Sequence, residues 1–333
     1  MIDAIIDTVK VPEGDEKAWV PAAMLRGMLR AYHRIWGVDQ QDYQILDIER
    51  VVNCDLRNPD TTQKSRTFRL AGKIDKLVKD GTGAIILFDH KTTSSSIAPE
   101  APYWKQLAID SQPSHYTYML RMEGDFVSRV VWDVAKKPMI RPRKLTAVEQ
   151  RLHKAERETA ALYEARVAET CLTLPHQYFA RRGITRANRE MLDYANEIWQ
   201  IGQEIKDTRR HDRWYKNSGA CMTWGRACPY LGLCSHEAKV EDWHTTEQVH
   251  PELGEMKDAK TLLTNSRVKT YQLCRRKHYY RYELGLQEEE DDSEALQFGS
   301  AWHEALDRYW LAVEETKKDG LAKRDHHKGR YAT

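Results

Sequence analysis

Two aspartates and a lysine in "AGKIDKLVKDGTGAIILFDHKTTSS" (residues 71–95) carry the most specific chemistry in this chain. Asp75 closes a Gly-x-x-Asp run and ends a predicted strand segment, and Asp89 and Lys91 form Asp-x-Lys after the apolar stretch "AIILF". On adjacent strands of a hairpin, Asp75 and Asp89 can project to one face. Two carboxylates there repel unless a cation lies between them, and Mg²⁺ takes one or two carboxylates together with waters and phosphate oxygens. Lys91 shares strand parity with Asp89, so its ammonium can orient or help deprotonate a water, or neutralise charge building on a phosphate. A second constellation is sulfur-based. Cys221, Cys228 and Cys234 follow C-x6-C-x5-C, a spacing that suggests a metal site without matching a zinc finger. A tetrahedral site needs a fourth thiolate. Cys54, in mid-strand, and Cys171, at a helix end, read as packing residues, which leaves Cys274.

These residues need elements to hold them. Residues 20–36 have helical apolar spacing and stop before Gly37. Residues 43–56 alternate and are rich in Val and Ile, which predicts a strand. Residues 67–92 read as two strands joined at "KDGTG", where Asp-Gly supplies the backbone that a tight hairpin requires. A helix is expected from "SQPSHYTYMLRMEG", a strand over 125–136, and mostly helix from 145 to 212 with a short strand near "HQYFARR". After the cysteine loop (217–236) a poorly patterned stretch reads as a flexible linker, followed by helices at 263–282 and 295–317. The predicted fold class is α/β: a mixed sheet flanked by helices, with helical additions.

With 333 residues, the chain can bury a substantial core. Charged residues make up 31% and the net charge is only +2, so no strong overall field draws nucleic acid. Basic stretches are local instead, at 136–144, 209–216 and 275–281, and an acidic run fills 288–294. No segment approaches the roughly 18–20 apolar residues of a membrane span, and the acidic N-terminus does not read as a signal peptide. The expected compartment is therefore the cytosol, where six cysteines are not read as disulfides.

The combined pattern resembles the PD-(D/E)XK nuclease superfamily, specifically its RecB-like iron–sulfur exonuclease branch. There Gly-x-x-Asp precedes a strand ending in Asp-x-Lys-Thr, and Gln-x-x-x-Tyr follows on a helix, matched here by Gln112 and Tyr116 in "QPSHY". "YQLCRRKHYYRYELGL" (271–286) is similar to that branch's cysteine motif, and "LQFGSAWHEALDRYW" supplies Gly299 and His303 of its Gly-x-x-x-His motif. The resemblance implies a restriction-endonuclease-like core. Asp75, Asp89, His303 and the backbone carbonyl of His90 would hold Mg²⁺ or Mn²⁺, with Lys91, Gln112 and Tyr116 beside them. Cys221, Cys228, Cys234 and Cys274 would hold a [4Fe–4S] cluster, for which zinc is the alternative. "WDVAKKPMIRPRK" (132–144) is similar to a strand and Lys-Pro loop of phage-type members, whose basic residues meet the DNA backbone.

The order of motifs departs from that family, in which the cysteine and histidine motifs come first. Circular permutation is one explanation, beside a gene-calling artefact from a circular genome and a fusion of halves of adjacent copies. Under permutation, residues 1–236 form the nuclease core, 237–261 the linker, 262–317 the permuted N-terminal part, and 318–333 a disordered basic tail. The expected function is metal-dependent DNA hydrolysis on single strands or free ends, in phage or prokaryotic recombination, repair or CRISPR-type processing. A helicase or recombination protein is the expected partner, and no membrane is involved. The alternative is a non-catalytic iron–sulfur DNA-binding subunit.

Overall fold

A computed structural model of the chain describes residues 2–9, 16–37, 39–223, 225–254, 260–287 and 294–328. Its centre is a mixed sheet in the order β1 (Tyr43–Arg57), β2 (Lys64–Asp80), β3 (Ile85–Thr93), β4 (Val127–Lys136), β5 (Phe179–Ile184). The hairpin turn forms at Asp80, whose side chain accepts the N–H of Thr82 and of Ala84 at 2.9 and 3.0 Å, and Gly83 takes φ +89°. β3 and β4 run parallel, and all other neighbouring pairs along this path are antiparallel.

β2 is long enough to take two partners on one edge. With β1 along the opposite edge, Lys76–Lys79 pair with β3, while Phe68–Leu70 pair with a short parallel strand, Thr261–Leu263. Between those two partners, from Ala71 to Asp75, no strand among the described residues pairs with this edge.

Two apolar cores grip the sheet. One gathers helices α1 (Ile2–Thr8) and α2 (Glu16–Trp36) with residues 160–173 and the helix Glu294–Lys328. That last helix carries Phe298, Trp302, Ala305, Leu306, Tyr309, Trp310 and Val313 at helical spacing, and every one is buried. The other core lies between β1–β4, α3 (Gln112–Glu123), α4 (Asn188–His211) and α5 (Asn265–Leu273). The helix Glu294–Lys328 is called α6 below.

Four expectations change. The segment 263–282 is not one helix: α5 breaks at Cys274, whose backbone is extended (φ −160°, ψ 114°), and the chain resumes as a helical turn and a π turn, Tyr279–Glu283. Asp75 does not end its strand, because β2 continues to Asp80. The stretch after the cysteine loop is not a loose linker over 240–254. Trp243 packs on Tyr230, His250 stacks on Tyr282, and Thr246 N–H donates to Gly285 O at 2.8 Å. Aromatic partners from the C-terminal segment order a stretch that has no periodicity of its own. Finally, α6 runs to Lys328, past the end expected at 317, through a run rich in the helix formers Lys, Ala and Leu. Residues 255–259 of the linker, 288–293 of the acidic run and 329–333 of the tail lie outside the described residues.

Candidate active site

The open stretch of β2 is where the acidic residues gather. Asp75 Oδ2 accepts the backbone N–H of His90 at 2.6 Å, just past the last β2–β3 pair, Lys76 with Phe88. The strands separate there, and a side chain replaces a ladder hydrogen bond. On β3, Asp89 is 2% exposed, and its Oδ2 lies 2.5 Å from Lys91 Nζ. That contact is an ion pair without good hydrogen-bond geometry, so this buried oxygen retains an unsatisfied acceptor.

Two helices close over the strands. In α3, Gln112 Nε2 donates to Tyr116 Oη at 3.1 Å. The N-terminus of this helix is tied to the C-terminal segment. Asp110 accepts Gln112 N–H at 2.8 Å and pairs with Lys269 at 2.7 Å, and Ser111 Oγ donates to Asn265 Oδ1 at 2.8 Å. From α6, His303 Nδ1 comes within 3.8 Å of Asp75 Oδ2, and its ring centroid is 6.3 Å from that of His90. The motif glycines explain the close seating. A Cβ on Gly72 would fall 2.7 Å from the Tyr116 ring, and one on Gly299 would fall 3.2 Å from Thr92 Oγ1. Gly72 thus admits the α3 tyrosine, and Gly299 lets α6 lie against the Asp-x-Lys-Thr strand.

Electrostatics follow from burial and crowding. Burial, and then the neighbouring Asp89, push the Asp75 carboxyl well above the ordinary carboxylate range. Burial opposes charge on Lys91, but Asp89 and Asp75 outweigh it and raise its pKa, which keeps the ammonium charged near neutrality. Burial, aided by Lys91, lowers His303, leaving an imidazole suited to ligation. Tyr116 is pushed up by burial and the two aspartates, so it stays a phenol.

A family model described as the PD-(D/E)XK nuclease superfamily matches residues 2–235 and 263–329, most of the chain. The chain belongs to the PD-(D/E)XK nuclease superfamily. A comparison with curated proteins finds no match. Membership assigns nuclease chemistry, and the mixed sheet flanked by helices is consistent with a nuclease fold. Among the described residues, no group of three or more His, Cys, Asp or Glu is arranged to hold a metal ion, and no helix is long and apolar enough to cross a membrane. PD-(D/E)XK nucleases usually use Mg²⁺ or Mn²⁺, and the donors at the open edge suit such a hard cation. They are a buried carboxylate with an unsatisfied oxygen, Asp89, a half-buried one, Asp75, and a neutral imidazole.

All four cysteines named from the sequence line one small pocket of this nuclease, under Tyr230 and Leu231 and flanked by Lys216 and Lys277. The break at Cys274 turns its sulfur there, where it accepts Asn217 N–H at 3.4 Å, and Cys228 N–H donates to Cys221 O at 2.8 Å. None is in a disulfide. Burial raises the thiol pKa of Cys228 and of Cys234. The four thiols share this pocket without forming a ready-made metal-binding group, and their residue type is that of a thiolate-bound centre. Cys54 and Cys171 are buried in the two cores.

The motifs did not point to a row of charged residues behind the site. His90 faces Asp133 on β4, and Asp133 faces Arg181 on β5. Burial alone would raise Asp133, but Arg181 and His90 hold it well below the carboxylate range, while burial lowers His90 to about 4. Lys76, also buried, lies 3.4 Å from the Trp310 ring centroid and is pushed down to about 7 by burial and Arg181. The only sequence signal for this row is polar residues in strands that otherwise read as apolar.

Proposed function

We propose that this nuclease is a metal-dependent deoxyribonuclease of the RecB-like branch, acting as an exonuclease on single-stranded or free DNA ends. The observation that carries the reading is the meeting of His303 with Asp75 at 3.8 Å beside the Asp89–Lys91 pair. This proximity of motifs from distant parts of the sequence supports the reading of a circularly permuted domain with one shared site.

Asp75, Asp89, His303 and the His90 carbonyl would hold Mg²⁺ or Mn²⁺, which when bound supplies a Lewis acid and an acidified water. Lys91, anchored on Asp89, places its ammonium against the phosphate as negative charge accumulates during in-line attack. Gln112 and Tyr116, locked to each other, position Lys91 and the scissile strand. Cys221, Cys228, Cys234 and Cys274 hold a [4Fe–4S] cluster, with zinc as the chemical alternative, and so fasten residues 262–317 to the core 1–236. The basic loop 137–144 and the Arg275–Arg281 segment follow the DNA backbone. A cytosolic role in recombination, repair or CRISPR-type processing, beside a helicase or recombination partner, accords with this chemistry.

Release of nucleotides from labelled DNA with Mn²⁺ tests the reading. The native chain should release them and Lys91→Ala should not. Equal release by both overturns the role given to Lys91 and with it this site, and no release by either points instead to a DNA-binding subunit.

A further inference from the structure

We infer that Asp133 is a positioning residue of the metal site, acting through the His90 side chain. The inference rests on the metal-dependent reading above and adds a residue to which that reading gives no role at the metal.

The geometry is a row across three strands. His90, Asp133 and Arg181 are paired in register on β3, β4 and β5, so their side chains share one face. His90 Nδ1 stands 3.3 Å from Asp133 Oδ2, a close contact that falls short of hydrogen-bond geometry, and it has no hydrogen-bond partner among the described residues. That same Asp133 oxygen accepts Tyr32 Oη–H at 2.5 Å and an Arg181 N–H at 3.1 Å. Arg181 is fixed in turn by Asp39 at 2.5 Å, and its guanidinium lies 4.0 Å from the Trp36 ring centroid. The row is thereby bolted to α2, and His90 and Asp133 are 1% and 2% exposed.

A buried ionic row is a poor source of stability, since apolar side chains of the same volume serve as well or better. Its position explains its presence. The backbone of His90 has two tasks in this reading: its N–H holds Asp75 Oδ2 at 2.6 Å, and its carbonyl is one of the proposed ligands. Where β2 and β3 separate, no ladder partner fixes that peptide from the β2 side. On the other side, where β3 pairs with β4, the Asp133 carboxylate stands against the imidazole of the same residue and adds an electrostatic restraint to the ladder. Outer groups that orient ligands commonly contribute about 10–100-fold to metal affinity.

The test is Mn²⁺ binding by the whole chain, read by the loss of the free-ion electron paramagnetic resonance signal, with thermal unfolding recorded alongside. Asp133→Asn should weaken binding about 10–100-fold. His90→Phe, which deletes the imidazole and leaves the peptide, should weaken it similarly, and the double variant should be no worse than either. Should Asp133→Asn fail to fold, Tyr32→Phe removes one of its anchors and should still weaken binding. Native affinity in a folded Asp133→Asn or Tyr32→Phe chain overturns the inference, as do additive losses in the double variant. Asp89→Ala separates this outcome from failure of the nuclease reading: if it too leaves Mn²⁺ binding unchanged, the metal site itself is wrong.

Discussion

His303 and Asp75, from opposite ends of the sequence, come within 3.8 Å of each other. α6 holds them there by burying Trp302, Leu306 and Tyr309 against α2, with the Tyr32 and Trp302 rings edge to face at 5.6 Å. The core that secures α6 is thus also what delivers its histidine.

Gly72 should tolerate no side chain. Its added Cβ would meet the Tyr116 ring at 2.7 Å in a packed region. Gly72→Ala should destabilise the protein by about 1–3 kcal/mol through overpacking and lower nuclease activity by moving Tyr116. Tyr116→Ala in the same chain should restore most of the stability but not the activity. Urea unfolding and a nuclease assay check both parts, and native stability in Gly72→Ala contradicts the packing account.

Acid should weaken the fold well above the carboxylate range. His115 is buried, with Tyr194 Oη donating to its Nδ1 and its Nε2 donating to Ala71 O, and burial lowers its pKa to about 4. His278 accepts from Arg267 at 3.2 Å and is lowered by burial to about 2. In the unfolded chain both protonate near the ordinary histidine value. Stability is therefore complete above about pH 6.5 and falls as the pH drops toward the folded values, by about 2 kcal/mol per histidine at pH 5. A urea midpoint that is the same at pH 7 and pH 5 contradicts this.

Glu283 secures the C-terminal segment. It accepts from Arg209 at 2.7 and 2.9 Å and from Arg267 at 2.8 Å, and Arg267 is 3% exposed. Glu283→Gln leaves a buried guanidinium uncompensated and should cost about 3–5 kcal/mol. Denaturant unfolding measures it, and a loss under about 1 kcal/mol places the arginine's compensation elsewhere.

Purified under anaerobic conditions, the native chain should carry about four iron and four sulfide per molecule and absorb visible light. Cys274→Ser should lose both and unfold more easily. One zinc per chain and no iron identifies the alternative ion at the same thiols.

Much of this arrangement was legible in the sequence. Asp-Gly at 80–81 marked the hairpin between two strands, and a helix was expected over 295–317, where α6 lies. Spacing placed Gln112 and Tyr116 on one helix turn, where they bond. The His90–Asp133–Arg181 row was hidden because its members lie on separate strands and depend on register, which no local pattern encodes. The docking of residues 240–254 was hidden for a similar reason, since its order comes from Tyr230 and Tyr282 rather than from its own sequence. The break at Cys274 was also missed, because helix formers continue on both sides of it.

The most direct test of the account is Mn²⁺-dependent nucleotide release from end-labelled DNA by His303→Ala beside the native chain, with thermal unfolding confirming that both are folded. The account predicts a loss of about 100-fold or more, partly recovered by raising Mn²⁺, because a ligand carried in from the far end of the chain has been removed. Native activity in a folded His303→Ala chain would contradict it, and α6 would then be a packing helix with no part in the chemistry.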